Sequence, residues 1–240
     1  MLVDPRDVIG DVAVLNGEEA RHLAVVLRAG PGDPVSVSDG AGRCWQARVV
    51  EARPAQVRLR LVGGGQRADR PLPRLTVVHA LPKGRKLDEV VRGLAEIGVD
   101  RLVPVHSTRS EVRLTPDKAV KAGGRWGAIA RAAAKQSRRA WLLDVAEVGE
   151  WAQAFKAETP HAQAHGVCCW EEATTPLRDV EIPADADEVV LAIGPEGGLT
   201  PDEVAATGMP PVSLGPTILR TETAALVAAS IVLHRLGRLG

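Results

Sequence analysis

The hydrophobic and polar positions of the first 62 residues alternate in short runs, which is typical of β-strands with one buried face. Apolar residues take every second position over 35–38 and again over 57–61, and turns rich in glycine and proline separate these runs. One stretch, from Gly17 to Leu27, has helical character instead. The first part of the chain is therefore predicted to form a small β-barrel.

Residues 63–73 show no apolar periodicity, and they are rich in glycine and proline. Such a composition favours a flexible linker over a strand or a helix. The sequence therefore predicts a domain boundary near residue 70, with a barrel domain over residues 1–70 and a second domain over residues 71–240.

From residue 74 onward, short apolar runs alternate with segments of helical periodicity. The runs that predict strands are 75–80, 102–105, 189–193 and 212–214, and those that predict helices are 86–97, 125–138 and 223–236. Gly98 follows the first of these helices and suits its C-terminal cap. Strands that alternate with helices predict an α/β fold, with a parallel sheet flanked by helices on both faces.

Charge changes this picture, because the chain is neutral overall but not in its parts. Residues 71–139 carry a net charge of +9, and residues 140–240 carry −10. Such asymmetry favours a surface that binds a polyanion, although the two segments could also neutralise each other. Aromatic residues are scarce, with five Trp, one Phe and no Tyr, which argues against RNA recognition by rows of stacked rings.

The three cysteines indicate neither a disulfide framework nor a zinc site. Cys168 and Cys169 are adjacent, Cys44 is distant in sequence, and no C-x-x-C or His/Cys cluster is present, so no metal is expected. The N-terminus lacks a basic stretch followed by an apolar run, and no apolar run reaches transmembrane length. A cytoplasmic protein without a membrane partner is the expectation.

The sharpest motif is a buried strand that runs into a glycine-rich turn and then into a helix, over residues 189–203. Thr200 and Glu203 have the spacing of a capping box, and Pro201 suits the first helical position. No Lys-Ser/Thr pair follows the glycines, so a Walker loop is excluded, and the G-x-G-x-x-G spacing of dinucleotide-binding loops is also absent. The turn suits an adenosine or an uncharged ring, or it is simply a tight connection.

A second motif, Leu214 to Ala224, also lies between a strand and a helix. Ile218 and Leu219 offer an apolar surface, and Arg220 and Glu222 lie at the start of the last helix. A helix N-terminus gains nothing from an arginine, so Arg220 is expected to have another task. The alternative is a salt bridge from Arg220 to Glu222 or to Glu196.

Both motifs, in this order and spacing, resemble those of the RsmE family of SPOUT RNA methyltransferases. Shorter matches extend the resemblance over almost the whole chain: His22 to Arg28, Gly32 and Asp39-Gly40 in the first part, then Lys83-Gly84, Glu96 to Val99, Pro104, Arg125-Trp126 and Ala134 to Arg139. The resemblance implies a PUA-like barrel followed by a trefoil-knotted SPOUT domain. It also implies a homodimer that uses S-adenosylmethionine (SAM) to methylate N3 of a uridine in 16S ribosomal RNA of the small subunit.

By this resemblance, the loops after three strands form the cofactor site. The expected cofactor-binding residues are Trp170, Ile193, Gly194, Pro195, Glu196, Gly197, Gly198, Leu214, Gly215, Ile218, Leu219, Arg220 and Thr223. Arg220 and Glu222 are the catalytic candidates: the cation would stabilise the uridine anion, and either Glu222 or Glu196 would accept a proton or orient Arg220. His22 and His79 are possible bases, but a lone histidine among apolar residues is more often structural.

Residues 118–139 contain seven cations and no acid, which predicts a basic ridge on a helix for phosphate contacts. The expected RNA contacts are Arg28, Lys83, Arg109, Arg125, Arg138 and Arg139. Two other functions stay open from the sequence: a SPOUT ribose 2′-O-methyltransferase, and a ribosome-assembly protein that binds RNA without catalysis. The apolar last helix, rich in alanine, is the expected dimer surface, or else part of the core.

Overall fold

A computed structural model of the chain describes residues 1–155, 165–183 and 185–240. The chain divides into two compact units. The N-terminal unit comprises Met1–Arg70 together with Ala134–Leu142, and the C-terminal unit comprises Pro71–Ala133 together with Leu143–Gly240. The segment 134–142, which the sequence assigns to the second domain, therefore packs with the first unit instead.

The N-terminal unit is a five-stranded antiparallel sheet. Its elements are β1 (Val8–Ile9), β2 (Val12–Asn16), α1 (Gly17–Arg21) with a π-helical turn His22–Val26, β3 (Pro34–Ser38), β4 (Arg43–Arg53) and β5 (Gln56–Arg67), in the sheet order β1-β2-β5-β4-β3. Alternate residues of β5, Val57, Leu59 and Leu61, are buried, as their period of two predicts. The linker prediction is wrong for residues 63–67, because these glycines continue β5 beside β4.

The C-terminal unit is built on a seven-stranded parallel sheet. Its elements are β6 (Arg74–Ala80), α2 (Lys86–Ile97), β7 (Arg101–His106), α3 (Pro116–Gln136, which enters the N-terminal unit at Ala134), β8 (Asp144–Val145), β9 (Gly149–Glu150), α4 (Trp151–Ala154), β10 (His165–Cys169), β11 (Glu188–Ile193), α5 (Pro201–Ala206), β12 (Pro211–Val212) and α6 (Thr221–Arg235). The order is β12-β10-β11-β6-β7-β8, and β9 also pairs with β7. The predicted parallel sheet is confirmed.

Helix α2 has the predicted bounds, and its apolar stripe explains why. Leu87, Val90, Val91 and Leu94 are buried at helical spacing. Gly98 ends the helix with a φ of 110°, and its N–H donates to the carbonyl of Leu94 at 3.2 Å. Helix α3 begins at Pro116, earlier than the predicted Arg125, because Val120 is the only large apolar residue of 116–124 and gives no apolar periodicity.

The core of the C-terminal unit is aliphatic, as the scarcity of aromatics requires. All six residues of β11, the central strand, are buried, and α6 packs on the sheet through Ala225, Ala228 and Ala229. No helix within the described residues is both long and apolar enough to cross a membrane.

Candidate active site

Three neighbouring strands, β12, β10 and β11, bring their carboxyl ends to one edge of the parallel sheet. The crevice outside the carboxyl ends of parallel strands is where open α/β sheets bind ligands. The loops that follow these strands enclose a cavity of about 470 Å³, within the range of small-molecule sites. Its lining is Cys169 to Glu171, Ile193 to Gly198, Ser213 to Thr221, and Ala224.

The structure brings twelve of the thirteen expected cofactor residues together around this cavity. The exception is Thr223, which lies exposed in the first turn of α6, while its neighbours Thr221 and Ala224 line the cavity. Glu171 and Ser213 also line it, and sequence reasoning missed both. They directly adjoin the predicted residues Trp170 and Leu214, so wider loop boundaries would have included them.

Two contacts define the position of the glycine-rich loop after β11: a hydrogen bond that closes its turn, and its packing against Arg109. Gly198 has a φ of 70°, and its N–H donates to the carbonyl of Pro195 at 3.0 Å, which closes the turn. Gly197 lies against Arg109: a Cβ at Gly197 would be 3.1 Å from the Cβ of Arg109 and 3.2 Å from its carbonyl oxygen. The guanidinium of Arg109 in turn donates to the carbonyl of Gly197 at 3.1 Å.

The predicted capping box at the start of α5 is confirmed, and it anchors the far end of this loop. The Thr200 hydroxyl accepts from the N–H of Glu203, and the Glu203 carboxylate accepts from the N–H of Thr200 at 3.0 Å. The same carboxylate accepts from the N–H of Thr108 at 2.7 Å. Burial acts to raise the pKa of Glu203, but these N–H donors outweigh burial and lower that pKa, so the carboxylate stays ionised.

Lys86, in the first turn of α2, forms the centre of a charge cluster that sequence reasoning missed. Its ammonium lies 2.8 Å from a carboxylate oxygen of Glu196 and 3.7 Å from one of Glu222. The Glu196 carboxylate also accepts from the N–H of Lys83 at 3.1 Å. Burial acts to raise the pKa of Glu196, but the hydrogen bonds from Lys86 and Lys83 lower it overall.

Arg220 has no such partner. It occupies the N-cap position of α6, and its side chain makes no capping hydrogen bond. Among the described residues, no hydrogen bond or salt bridge to its exposed guanidinium is found, although the residue lines the cavity. The alternative of a salt bridge to Glu222 or Glu196 is therefore wrong, because Lys86 occupies both carboxylates.

The two candidate histidines differ in position. His22 belongs to the N-terminal unit and does not line the cavity. His79 is fully buried at the end of β6, with Nδ1 2.6 Å from the carbonyl of Ala80 and Nε2 3.4 Å from the Thr221 hydroxyl. That hydroxyl donates to the carbonyl of Gly194 at 2.5 Å. Burial lowers the pKa of His79, so a neutral, structural imidazole supports the loop.

Three of the six expected RNA contacts are engaged within the C-terminal unit. Lys83 pairs with Glu111, Arg109 holds the carbonyl of Gly197, and Arg125 pairs with Asp88 at 3.1 Å. Arg28, Arg138 and Arg139 belong to the N-terminal unit. Three cations of α3 are exposed and have no ion pair among the described residues: Lys118, Lys121 and Arg131. Ala122, Ala130 and Ala133 of the same helix are buried.

Two family models match the chain. A model described as an RNA methyltransferase domain matches residues 69–233, and one described as an RNA methyltransferase PUA domain matches residues 15–62. Proteins named ribosomal RNA small subunit methyltransferase E are similar over most of their length. The one from Mycobacterium tuberculosis is 36% identical over 96% of this chain and 89% of its own; the one from Bacillus subtilis is 31% identical over 92% and 89%.

Solved structures show the same likeness. A ribosomal RNA small subunit methyltransferase E from Neisseria gonorrhoeae bound to S-adenosyl methionine superimposes with a TM-score of 0.83, at 27% identity, over 97% of both chains. A methyltransferase from Legionella pneumophila in complex with SAM gives a TM-score of 0.85, also at 27% identity, over 98% of this chain and 96% of its own. The predicted SPOUT-type fold and the predicted PUA-like N-terminal part are thereby confirmed.

Proposed function

Because the chain belongs to the RNA methyltransferase family whose members are named ribosomal RNA small subunit methyltransferase E, we propose that it methylates N3 of a uridine in 16S ribosomal RNA with SAM as the donor. The observation that carries this proposal is the cavity at the ends of β10, β11 and β12, where two motifs of the family meet. A cytoplasmic location is part of the same proposal, because ribosomal RNA is the proposed substrate.

The residues of the cavity fit SAM by their chemistry. Ile193, Leu214 and Ile218 supply apolar surface for an adenine ring and for the carbon chain of the methionine part of SAM. The carboxylate of Glu171, for which the described residues offer no ion pair, lines the same cavity and favours a ligand with positive charge, whereas that of Glu196 is paired with Lys86. A nucleotide with phosphate groups would meet the Glu171 carboxylate unfavourably, whereas SAM carries a cationic sulfur and an ammonium group.

The charged residues of the cavity have different roles in the proposed reaction. When bound, SAM supplies a methyl group on a positively charged sulfur. The uracil N3 must lose its proton before its lone pair can form the bond to carbon, and negative charge then grows on the two flanking carbonyl oxygens. Arg220, whose guanidinium is uncommitted, would stabilise that charge. Glu222 is the expected proton acceptor: its buried Oε2 has no hydrogen-bond partner in the described residues and lies 3.7 Å from the Lys86 ammonium, whereas the Glu196 carboxylate accepts hydrogen bonds from both Lys86 and Lys83.

Nucleoside analysis tests this function. The full chain should be incubated with SAM and unmodified small-subunit RNA, and the digested RNA should be examined by mass spectrometry. 3-Methyluridine is the expected product. A 2′-O-methylated nucleoside would change the reaction to ribose methylation, and SAM binding without any methylated product would favour an RNA-binding protein that has lost catalysis.

The finer structural features implied by the resemblance belong to the same proposal. We infer a trefoil knot in the C-terminal unit and a homodimer. Ala225, Ala228 and Ala229 of α6 are buried in the protein's own core, so a partner would contact the partly exposed Leu226, Val227 and Ile231 of that helix instead.

Replacing Lys86 by methionine should weaken SAM binding roughly three- to tenfold at neutral pH. Without the ammonium, Glu196 and Glu222 repel each other, and the loop after β11 loses the hydrogen bond from Lys86 that holds Glu196, so this wall of the cavity should shift. The pKa of Glu196 also rises, because its main hydrogen bond is lost. As the pH is lowered, a carboxylate with a raised pKa takes up its proton earlier. The SAM affinity of the variant should therefore begin to decrease at a higher pH than that of the wild type. Calorimetry from pH 4 to pH 8 measures this.

Lys86→Arg is the matched control, since it keeps the charge between the two carboxylates. An affinity and pH profile of Lys86→Met equal to those of the wild type would show that the cluster has no part in cofactor binding.

Replacing Lys118 and Lys121 together by alanine should flatten the dependence of RNA affinity on salt. Each phosphate contact releases counterions, so the slope of log affinity against log salt should decrease by about one to two units. SAM affinity should not change. Arg178→Ala, which removes an exposed cation from the acidic part of the chain, is the control. An unchanged slope in the double variant would place the RNA surface elsewhere.

A further inference from the structure

A second cavity, of about 590 Å³, lies wholly within the N-terminal unit and is assigned no role by the proposed reaction. One wall comes from strands β3, β4 and β5, and the other from the last turn of α3 and the segment that follows it, with Met1 and Leu2 also in the lining. The walls combine an indole, Trp45, with hydrogen-bonding side chains, Ser36 and Gln46, and with a cation, Arg138. The volume is in the range that holds small ligands.

The glycine run of β5 shapes this cavity around Trp45. Cys44 pairs with Gln66 and Gln46 with Val62, so the single residue Trp45 on β4 faces three glycines on β5. This irregularity is a β-bulge, and such features often lie next to functional sites. The indole lies directly on Gly65, where any Cβ would collide with its ring nitrogen. Gly65 is thus required by the indole, and Gly63 by its left-handed backbone with a φ of 73°.

Arg138, whose cation lines the cavity, has an unusual backbone conformation. Arg138 has a φ of 57°, the left-handed region that a residue with a Cβ rarely adopts. Its chain neighbour fixes this geometry, since the N–H of Arg139 donates to the carbonyl of Ala134 at 2.9 Å. The ammonium of Lys135, also in the cavity wall, is 2.5 Å from the carboxylate of Glu19, so its charge is already compensated. Arg138 remains as an exposed cation at the cavity.

The polar groups of the wall suit the edge of a planar ring. The Ser36 hydroxyl donates to the amide oxygen of Gln46 at 3.2 Å, which orients an amide that can both donate and accept. An aromatic face, an oriented amide and an arginine are together the means by which proteins bind unpaired nucleotides: the base stacks, its edge is hydrogen-bonded, and the phosphate pairs with the cation.

We propose that this cavity binds one unpaired nucleotide of the substrate RNA, with its base on Trp45 and its phosphate on Arg138. The inference rests on the proposed function, since it takes RNA to be the substrate. It also accommodates the scarcity of aromatic residues, because a single indole serves a single base and no row of stacked rings is needed.

The test compares Arg138→Gly with the wild type in the full chain. Glycine removes the cation and also relieves the left-handed backbone, so the variant should be at least as stable as the wild type. Affinity for a short mixed-sequence single-stranded RNA should nevertheless fall, with a salt slope lower by about one unit. Arg58→Ala, which removes an exposed cation of the same unit outside the cavity, should leave both unchanged. An Arg138→Gly variant with wild-type affinity and slope would overturn the phosphate contact.

Trp45→Ala tests the base contact, with an expected loss of RNA affinity of about five- to a hundredfold and little change in the salt slope. Trp45→Phe should recover much of the loss, because a smaller ring can still stack; this variant keeps the test decisive if the alanine variant does not fold. Wild-type RNA affinity in a folded Trp45→Ala variant would overturn the stacking.

Two further measurements separate the proposals. UMP and AMP alone should bind far more weakly than RNA. Tight binding of a mononucleotide, together with wild-type RNA affinity in Arg138→Gly and Trp45→Ala, would show that the ligand is a free nucleotide and would overturn the proposal. SAM affinity should be the same in all variants. One outcome would refute only the cavity proposal: the wild type forms 3-methyluridine, but the variants bind RNA as the wild type does. The opposite outcome would refute only the proposed reaction: the wild type forms no 3-methyluridine, but the variants lose RNA affinity.

Discussion

Arg220→Ala should lower the single-turnover rate of methylation by about a hundredfold or more, which is comparable to the removal of one oxyanion donor. The guanidinium stays charged at any working pH and can donate several hydrogen bonds to carbonyl oxygens. Its interaction strengthens as the uridine loses its N3 proton, so the loss should fall on the transition state. The dissociation constants of SAM and RNA should change much less.

The position of Arg220 makes this prediction sharper than the sequence alone allows. Since the guanidinium has no salt bridge or hydrogen bond in the described residues, its removal should cost little stability. A structural role for the arginine would instead lower SAM affinity and melting temperature together. Rate, SAM affinity and melting temperature should therefore be measured on the same variant.

Arg220→Lys is the matched control for charge, because it keeps a cation but loses the planar fork of donors. An intermediate rate would show that charge and geometry both contribute. A stable Arg220→Ala variant with wild-type turnover would remove Arg220 from the proposed chemistry.

Features that depend on neighbouring residues were predictable from the sequence. The bounds of α2 followed from its apolar stripe and from Gly98, and the capping box followed from the spacing of Thr200 and Glu203. The residues of the cavity were predicted from the resemblance to the RsmE family, and the structure gives the physical reason: both motifs follow parallel strands, and parallel strands end at the same edge of a sheet. The twelve expected residues lie together because the loops that carry them follow neighbouring strands. This arrangement does not depend on the ligand that the loops bind.

Features that depend on distant residues were not predictable. Lys86 and Glu196 are 110 residues apart, and only the fold places the ammonium between two carboxylates. Arg109 and Arg125 read as free cations in the sequence, but the C-terminal unit uses both within itself. The three glycines of β5 have the composition of a linker, and the indole that requires Gly65, that of Trp45, lies twenty residues earlier in the sequence.

Gly197→Val should reduce SAM affinity by about a hundredfold or more. The sequence suggests that a side chain here would block the approach of a ligand to the backbone, but the structure gives a different reason. A Cβ at Gly197 points at Arg109, 3.1 Å from its Cβ and 3.2 Å from its carbonyl oxygen, and the two γ carbons of valine would add to this overlap. Overpacking of this kind typically costs about 1–3 kcal/mol.

We expect a shift of the loop to relieve the overlap, because burial and hydrogen bonds also fix the segment that carries Arg109. Ser107 is buried, its hydroxyl is 2.9 Å from that of Ser110, and the N–H of Thr108 donates to Glu203. The loop from Gly194 to Gly198 would therefore shift, lose the bond from Arg109 to the carbonyl of Gly197, and move one wall of the cavity. Gly197→Ala, which adds the Cβ alone, should show a smaller loss.

Calorimetry with SAM, accompanied by circular dichroism and a melting temperature, measures this prediction. Gly124→Val is the control, because Gly124 is exposed on α3 and a Cβ there meets no atom within 4 Å. The control should keep its SAM affinity, while Gly197→Val should lose it with the fold intact and the melting temperature lowered by a few degrees. A folded Gly197→Val variant that binds SAM as the wild type does would mean that the loop after β11 does not form the cofactor wall.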